Sequence, residues 1–285
     1  MTAPKPSGVC AIIAGAGAFP LHVAQEAKRA GLTVVALGLQ SWADPELARH
    51  VDVYEEVAVG QIGRLLERLQ AHRAAFAIMA GKVTKEVLFD PRVAFDGEAL
   101  RILQQVKEFS VNAVLGAIAL RLAAAGVTLL DSSTFLQESA CPVGVVTSRG
   151  PTPEERAAIE AGVRVARQIA QLDVGQTIVV KRRVIVAVEA LEGTDATIRR
   201  AGELAGGGGV IIKMGSPQQD RRFDLPILGV TTLEMAQAAG MTCLAVEARA
   251  TLLLDKDALI ARANALGLCL IGIEVGSPPA ADTSS

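Results

Sequence analysis

Aromatic residues are nearly missing from this chain: they make up 3% of its 285 residues, with one Trp and one Tyr. Its core must therefore be assembled from Ala, Val, Ile and Leu, within an apolar fraction of 51%, which is the palette of strands buried beneath helices. Net charge is missing too. The 28 basic and 30 acidic residues nearly cancel, and no basic run is interleaved with aromatics, so nucleic acid is excluded as a partner. Cysteine is sparse: Cys10, Cys141, Cys243 and Cys269 lack the paired spacing that structural zinc or a redox dithiol needs. They read as buried, reduced thiols of a cytoplasmic protein. The histidines, His22, His50 and His72, match neither a zinc helix nor a catalytic triad. No apolar run is long enough to span a bilayer, and residues 9–14 are too short for a signal-peptide core. Any membrane contact is expected to be peripheral, through a lipid substrate or a surface patch.

What is present is alternation. Strands are expected at 9–14, 33–37, 51–54, 75–80 and 127–130, with helices at 20–30, 62–71 and 113–125 between them, the order of a parallel sheet. The connection 85–109 reads as partly helical. Polar and turn residues cluster between 131 and 153 around Pro142, Gly144, Gly150 and Pro151. Thr152, Pro153 and Glu155 then supply an N-cap hydroxyl, a first-turn proline and a glutamate to close a capping box. Beyond it, strands 177–181 and 184–190 are joined at Arg182 and Arg183, followed by a helix from Asp195, a strand at 209–213, a helix around 232–239 and two more strands ending at 268–273. The fold class is α/β, in two α/β domains. A Rossmann-like domain with a mostly parallel sheet covers 1–133, a hinge 134–152, a catalytic α/β domain 153–276 and a flexible tail 277–285, with the substrate site expected between the domains.

Four places invite chemistry. Gly15, Ala16, Gly17 and Pro20 form a turn between the first strand and first helix, suited either to a phosphate at the helix's positive end or simply to close helix–strand packing. Without a third glycine near Pro20, or an acidic residue soon after the second strand, classical dinucleotide binding is disfavoured. Gly81, Lys82, Val83 and Thr84 should leave the sheet on the same edge, where Lys82 would meet a phosphate or remain a solvated loop lysine. In the second half, Thr194 can cap a helix that opens after Glu189, Glu192 and Gly193. Asp220 to Pro226 sets two carboxylates among two arginines, either a solvated turn held by local pairs or a loop for phosphoanhydride hydrolysis, which needs cations and a carboxylate.

Several segments together resemble a known family: Ile13-Ala14-Gly15-Ala16-Gly17 with Pro20, Gly81-Lys82-Val83-Thr84, Leu172-Asp173-Val174-Gly175-Gln176, Ala187-Val188-Glu189-Ala190 with Glu192-Gly193-Thr194-Asp195, and Asp220-Arg221-Arg222-Phe223-Asp224-Leu225-Pro226. In order and spacing they are similar to the UDP-2,3-diacylglucosamine pyrophosphatases of the lipid A pathway, over nearly the whole chain. The resemblance implies hydrolysis of UDP-2,3-diacylglucosamine to UMP and 2,3-diacylglucosamine 1-phosphate by water attack on the α-phosphorus, with Mg²⁺ or another divalent cation. It also implies a homodimer, cytoplasmic, in peripheral contact with the inner membrane through its lipid substrate. Carried over by motif, Asp224 is the catalytic carboxylate and Asp220 and Asp224 are metal ligands. By the same matching Gly15, Ala16, Gly17, Ala80, Gly81, Lys82, Gln176, Thr194, Asp195 and Lys213 surround the substrate. One departure stands out: many relatives carry an acidic pair at the helix start that here reads Ser110, Val111 and Asn112. The competing readings are a nucleotide-sugar binding protein of the same fold without catalysis or with another specificity, and an NAD(P)-dependent oxidoreductase built on the glycine turn.

Overall fold

The structure, a computed structural model, describes residues 8–83, 93–106, 111–216, 220–223 and 225–274, with the backbone alone at 111 and 112. The chain divides into two compact units: 1–137 together with 220–224, and 138–219 together with 225–285.

The first unit has strands β1 (Val9–Ala14), β2 (Thr33–Leu39), β3 (Val53–Val57), β4 (Phe76–Ala80) and β5 (Thr128–Leu129). Its helices are α1 (Phe19–Arg29), α2 (Ile62–Ala71), α3 (Gly97–Gln105) and α4 (Val111–Ala124). The five strands are all parallel, in the order β3-β2-β1-β4-β5. Central β1 is covered on both faces, which is why it reads as an unbroken apolar run rather than an alternating one. Ile62, Leu65, Leu66 and Leu69 make one apolar face of α2 and pack with Ile13, Val35, Ile102 and Leu122 in the core. Winding runs from β1 outward to β3 and then resumes with β4 on the other side of β1. The carboxyl ends of β1 and β4 therefore flank the topological switch point, the usual place for a ligand in an open parallel sheet.

On this unit's surface, Arg68 donates to both oxygens of Glu55 at 2.5 Å and the His72 ring lies 2.8 Å from one of them. The Arg68 guanidinium, with help from His72 and against some desolvation, holds the Glu55 carboxyl down at about 2. A carboxyl whose folded pKa lies below its unfolded value stabilises above the unfolded value and loses that contribution as pH falls toward the folded one. Glu55→Gln should therefore melt below the native protein near neutrality, with the gap closing as pH falls from about 4.5 toward about 2. Melting curves of both proteins across that window check it; a constant gap would refute it.

The second unit contains β6 (Gly144–Val145), α5 (Pro153–Gln171), β7 (Thr177–Lys181), β8 (Val184–Val188), α6 (Thr194–Ala205), β9 (Val210–Lys213), β10 (Ile227–Leu228), α7 (Val230–Ala238), β11 (Cys243–Glu247), β12 (Leu252–Leu253), α8 (Lys256–Ala265) and β13 (Cys269–Ile273). Six strands form one mixed sheet, β6-β13-β11-β9-β7-β8, and β10 and β12 make a separate parallel pair. Strands β9, β11 and β13 are parallel, whereas β7 runs antiparallel to both β8 and β9, and β6 antiparallel to β13. Helix α5 covers one face through Ala158, Ile159 and Ala166, and Ile198, Leu233 and Leu259 of α6, α7 and α8 cover the other. Gly162 lets α5 lie close to the sheet, since a Cβ there would come within 2.4 Å of Ile212 Cδ1. The capping box forms as expected: Thr152 accepts from Glu155 N, and Glu155 accepts from Thr152 N. Such a cap is worth about 1 kcal/mol. Arg182 and Arg183 turn the β7–β8 hairpin with both residues at positive φ, which its right-handed twist demands. All four cysteines are buried and unpaired, and burial pushes the Cys10 thiol up to about 12 and that of Cys141 to about 11, so neither is a nucleophile at neutral pH.

Candidate functional site

In the first unit the two glycine-containing loops are one structure. Gly15 N donates to Ala80 O at 2.7 Å, while Ala16 and Lys82 exchange backbone hydrogen bonds of 2.9 Å, an antiparallel bridge just past the ends of β1 and β4. The expectation that both loops leave the sheet on one edge is met. A Cβ on Gly15 would lie 2.7 Å from Lys82 O, and one on Gly81, at φ +91, would lie 2.7 Å from Ala16 O. Gly17, at φ +93, then turns the chain into α1. The N-cap of that helix is Ala18, which makes no side-chain cap; Pro20 has no N–H, and Leu21 N and His22 N turn back on Ala18 O at 3.1 and 3.3 Å, so the opening turn of α1 keeps little donor capacity for an anion. Thr84 lies outside the described residues, as does Ser110.

The stretch 220–223 belongs to this same unit. Arg221 Nε donates to Asp131 Oδ2 at 2.8 Å and its Nη2 to Ser133 Oγ at 3.0 Å. Ser132 N donates to Arg221 O at 2.9 Å. The Ser132 hydroxyl sits 2.7 Å from Arg222 O and 2.8 Å from Met79 O on β4, and Phe223 packs against the core of β1, α2 and α4. Arg222 grips both oxygens of Asp220 and holds that carboxyl below its ordinary range. Asp220 and Arg222 make a local pair, as the reading of a turn held by such pairs expected, but Arg221 reaches ninety residues back to anchor the loop. The sequence reading missed Asp131, Ser132 and Ser133, although a polar Asp-Ser-Ser run directly after β5 was the available signal. Asp224 lies outside the described residues.

In the second unit a polar cluster gathers at one end of the sheet, where β7 begins and β8 and β9 end. Lys213, 8% exposed, lies opposite Thr177 in the β7–β9 register. Its Nζ is 3.2 Å from Thr194 Oγ1 and 3.4 Å from Thr177 Oγ1. Thr194 Oγ1 donates to Glu189 Oε1 at 2.9 Å, and Gln176 N donates to Glu189 Oε2 at 3.3 Å. Gln176 O in turn accepts from Met214 N at 2.9 Å. Gly215 N donates to Glu247 at the end of β11, also at 2.9 Å. Gln176, Thr194 and Lys213 are thus brought together, and Asp195 follows in the first turn of α6.

One expectation needs correcting. Thr194 does not cap α6: the N-cap is Gly193 at φ +81, and Thr194 is the first helical residue. Its hydroxyl donates instead to the Glu189 carboxylate at 2.9 Å, a charge-assisted bond. The two neighbouring glutamates part company as well, since Glu192 pairs with Arg200 and contributes nothing to the cluster. The residues that sequence reasoning did not assign to a site are Glu189, Thr177 and Glu247. The turn before β7 fits against the first of these, because a Cβ on Gly175 would lie 2.2 Å from Glu189 O.

Two family models match the chain in tandem, the LpxI N-terminal domain over residues 9–139 and the LpxI C-terminal domain over 142–271. A protein described as UDP-2,3-diacylglucosamine pyrophosphatase LpxI, from Caulobacter vibrioides, is 32% identical over 279 residues, covering 94% of this chain and 98% of that protein. Likeness at this level, continuous through both units, leaves no room for a borrowed domain or a shared fold alone. The chain belongs to the LpxI family.

Proposed function

We propose that this protein hydrolyses the pyrophosphate bond of UDP-2,3-diacylglucosamine, releasing UMP and 2,3-diacylglucosamine 1-phosphate. The observation that carries the reading is the end-to-end likeness to a pyrophosphatase of that name. The chemistry of the described residues is compatible with it. A diphosphate substrate brings anionic oxygens that need N–H donors and cations. Taken each by itself, the first unit offers Lys82 beside the glycine turn and the second offers Lys213 beside the start of α6. By motif, Asp224 is the carboxylate that positions the attacking water on the α-phosphorus. Release of UMP from UDP-2,3-diacylglucosamine by the purified protein tests the reading directly, and absence of release under conditions that support a known pyrophosphatase would sink it.

Dependence on Mg²⁺ is part of the proposal and rests on the family likeness. The described residues do not by themselves make a metal set: Asp220 has both oxygens on Arg222, and no three His, Cys, Asp or Glu side chains converge among the described residues. The expected result is that EDTA abolishes UMP release and added Mg²⁺ restores it; turnover that survives exhaustive chelation would remove the metal from the reaction.

The homodimer, the cytoplasmic location and peripheral contact with the inner membrane are proposed on the same ground. No helix among the described residues is long and apolar enough to cross a membrane.

A further inference from the structure

The polar cluster of the second unit is organised around the carboxylate of Glu189. Glu189 stands just past the end of β8 and accepts the Thr194 hydroxyl on one oxygen and Gln176 N on the other. An ionised carboxylate only accepts, an ammonium only donates, and a hydroxyl has a single proton. With that proton committed to Glu189, the lone pairs of Thr194 face Lys213 Nζ, 3.2 Å away. The polarity of the chain is fixed: Lys213 donates to Thr194, which donates to Glu189. Thr177, fully buried, stands 3.4 Å from both the ammonium and the Thr194 hydroxyl. Lys213 is itself almost wholly buried, and a buried ammonium needs oriented oxygen acceptors to stay charged in place.

We propose that Glu189 is a positioning residue which, by orienting the Thr194 hydroxyl, holds the Lys213 ammonium at the end of β9 for an anionic oxygen of the substrate diphosphate. The proposal rests on the hydrolysis reading above. A merely structural role for Glu189 is separated by the test: its backbone N, which donates to Thr177 O at 2.8 Å, keeps that bond when the side chain is truncated, while the bond from Gln176 N is lost.

The test is a double-mutant cycle on UMP release from UDP-2,3-diacylglucosamine, using Glu189→Ala, Thr194→Val, Lys213→Met and the Glu189→Ala/Lys213→Met pair, with Glu189→Gln as the conservative variant. Glu189→Ala and Thr194→Val should each lower kcat/KM by about tenfold or more, and Glu189→Gln, whose amide oxygen still accepts from Thr194, should recover most of that loss. In the Lys213→Met background, Glu189→Ala should cost less than about twofold. Effects that multiply across the pair would overturn the proposal. A second readout does not depend on turnover: in protein labelled with ¹⁵N at the lysine ε-amines, the Lys213 ammonium, assigned by its loss in Lys213→Met, should give a hydrogen-bonded signal. That signal should shift in Glu189→Ala and Thr194→Val, and an unchanged signal in both would also overturn the proposal. Wild-type protein that shows the signal but releases no UMP would instead count against the hydrolysis reading alone.

Discussion

Asp224→Asn should leave the protein folded and lower UMP release by about a hundred- to ten-thousandfold, the range associated with loss of one positioned acid–base group. The substitution keeps the size of the side chain and removes its charge and its capacity to hold a proton. Both flanks of the position are fixed by contacts that do not involve it. Phe223 packs in the core of the first unit, behind the Arg221–Asp131 pair and the Ser132 bonds. On the other side, Pro226 O accepts from Leu252 N at 2.9 Å, and β10 pairs with β12. Melting temperature should stay within about a degree or two, because the substitution keeps the size of the side chain and leaves those contacts of its neighbours in place. Steady-state kinetics and a melting curve decide the matter together. A full-rate Asp224→Asn enzyme would refute the catalytic assignment, whereas loss of rate accompanied by a large fall in melting temperature would place the residue in the scaffold.

How far the sequence foretold these features depends on whether the signal was local. Helix α2 falls on residues 62–71 as expected, because four apolar side chains at helical spacing and an otherwise polar sequence define its face without reference to anything else. The α5 start was equally legible, since a capping box is complete within four residues. Strands β10 and β12 were not: each is two residues long and exists only because the other lies beside it. Strand β6 went unread for the same reason, being two residues defined by pairing with β13. In the candidate site, the turn glycines were readable as types, but the reason for Gly15 is a carbonyl sixty-odd residues onward at Lys82. Thr194 was read as a cap because a hydroxyl at a helix start usually is one. Its true partner, Glu189, was visible five residues earlier, yet which of Glu189 and Glu192 would turn toward it depended on Arg200 claiming the other. The anchoring of Arg221 on Asp131 joins positions ninety residues apart, and no window on one chain contains both.

Gly15→Ala should impair both fold and turnover, and the comparison with Gly17→Ala explains why. At Gly17 the backbone is left-handed, with φ +93, but no atom lies within 4 Å of where a Cβ would stand. Alanine there meets only the conformational penalty of about 1 kcal/mol. Gly15 is the reverse case: its backbone tolerates alanine, but the added carbon would sit 2.7 Å from Lys82 O and 3.1 Å from the Gly81 carbonyl carbon. These are backbone atoms, so no side-chain rotation relieves the clash. The Lys82 carbonyl cannot retreat without losing the bond it accepts from Ala16 N, and the Gly81 turn is pinned in the same way against Ala16 O. Overpacking of this kind costs about 1–3 kcal/mol, which in a chain of this size lowers the melting temperature by several degrees. Because the same movement displaces Lys82, UMP release measured well below the melting temperature should also fall, by about tenfold if one anionic contact to the substrate is lost. Gly17→Ala should show the smaller thermal shift and keep the bridge. If Gly15→Ala matched the native enzyme in both melting and rate, the Ala16–Lys82 bridge would be neither rigid nor required, and the glycine turns at the switch point would have no part in the reaction.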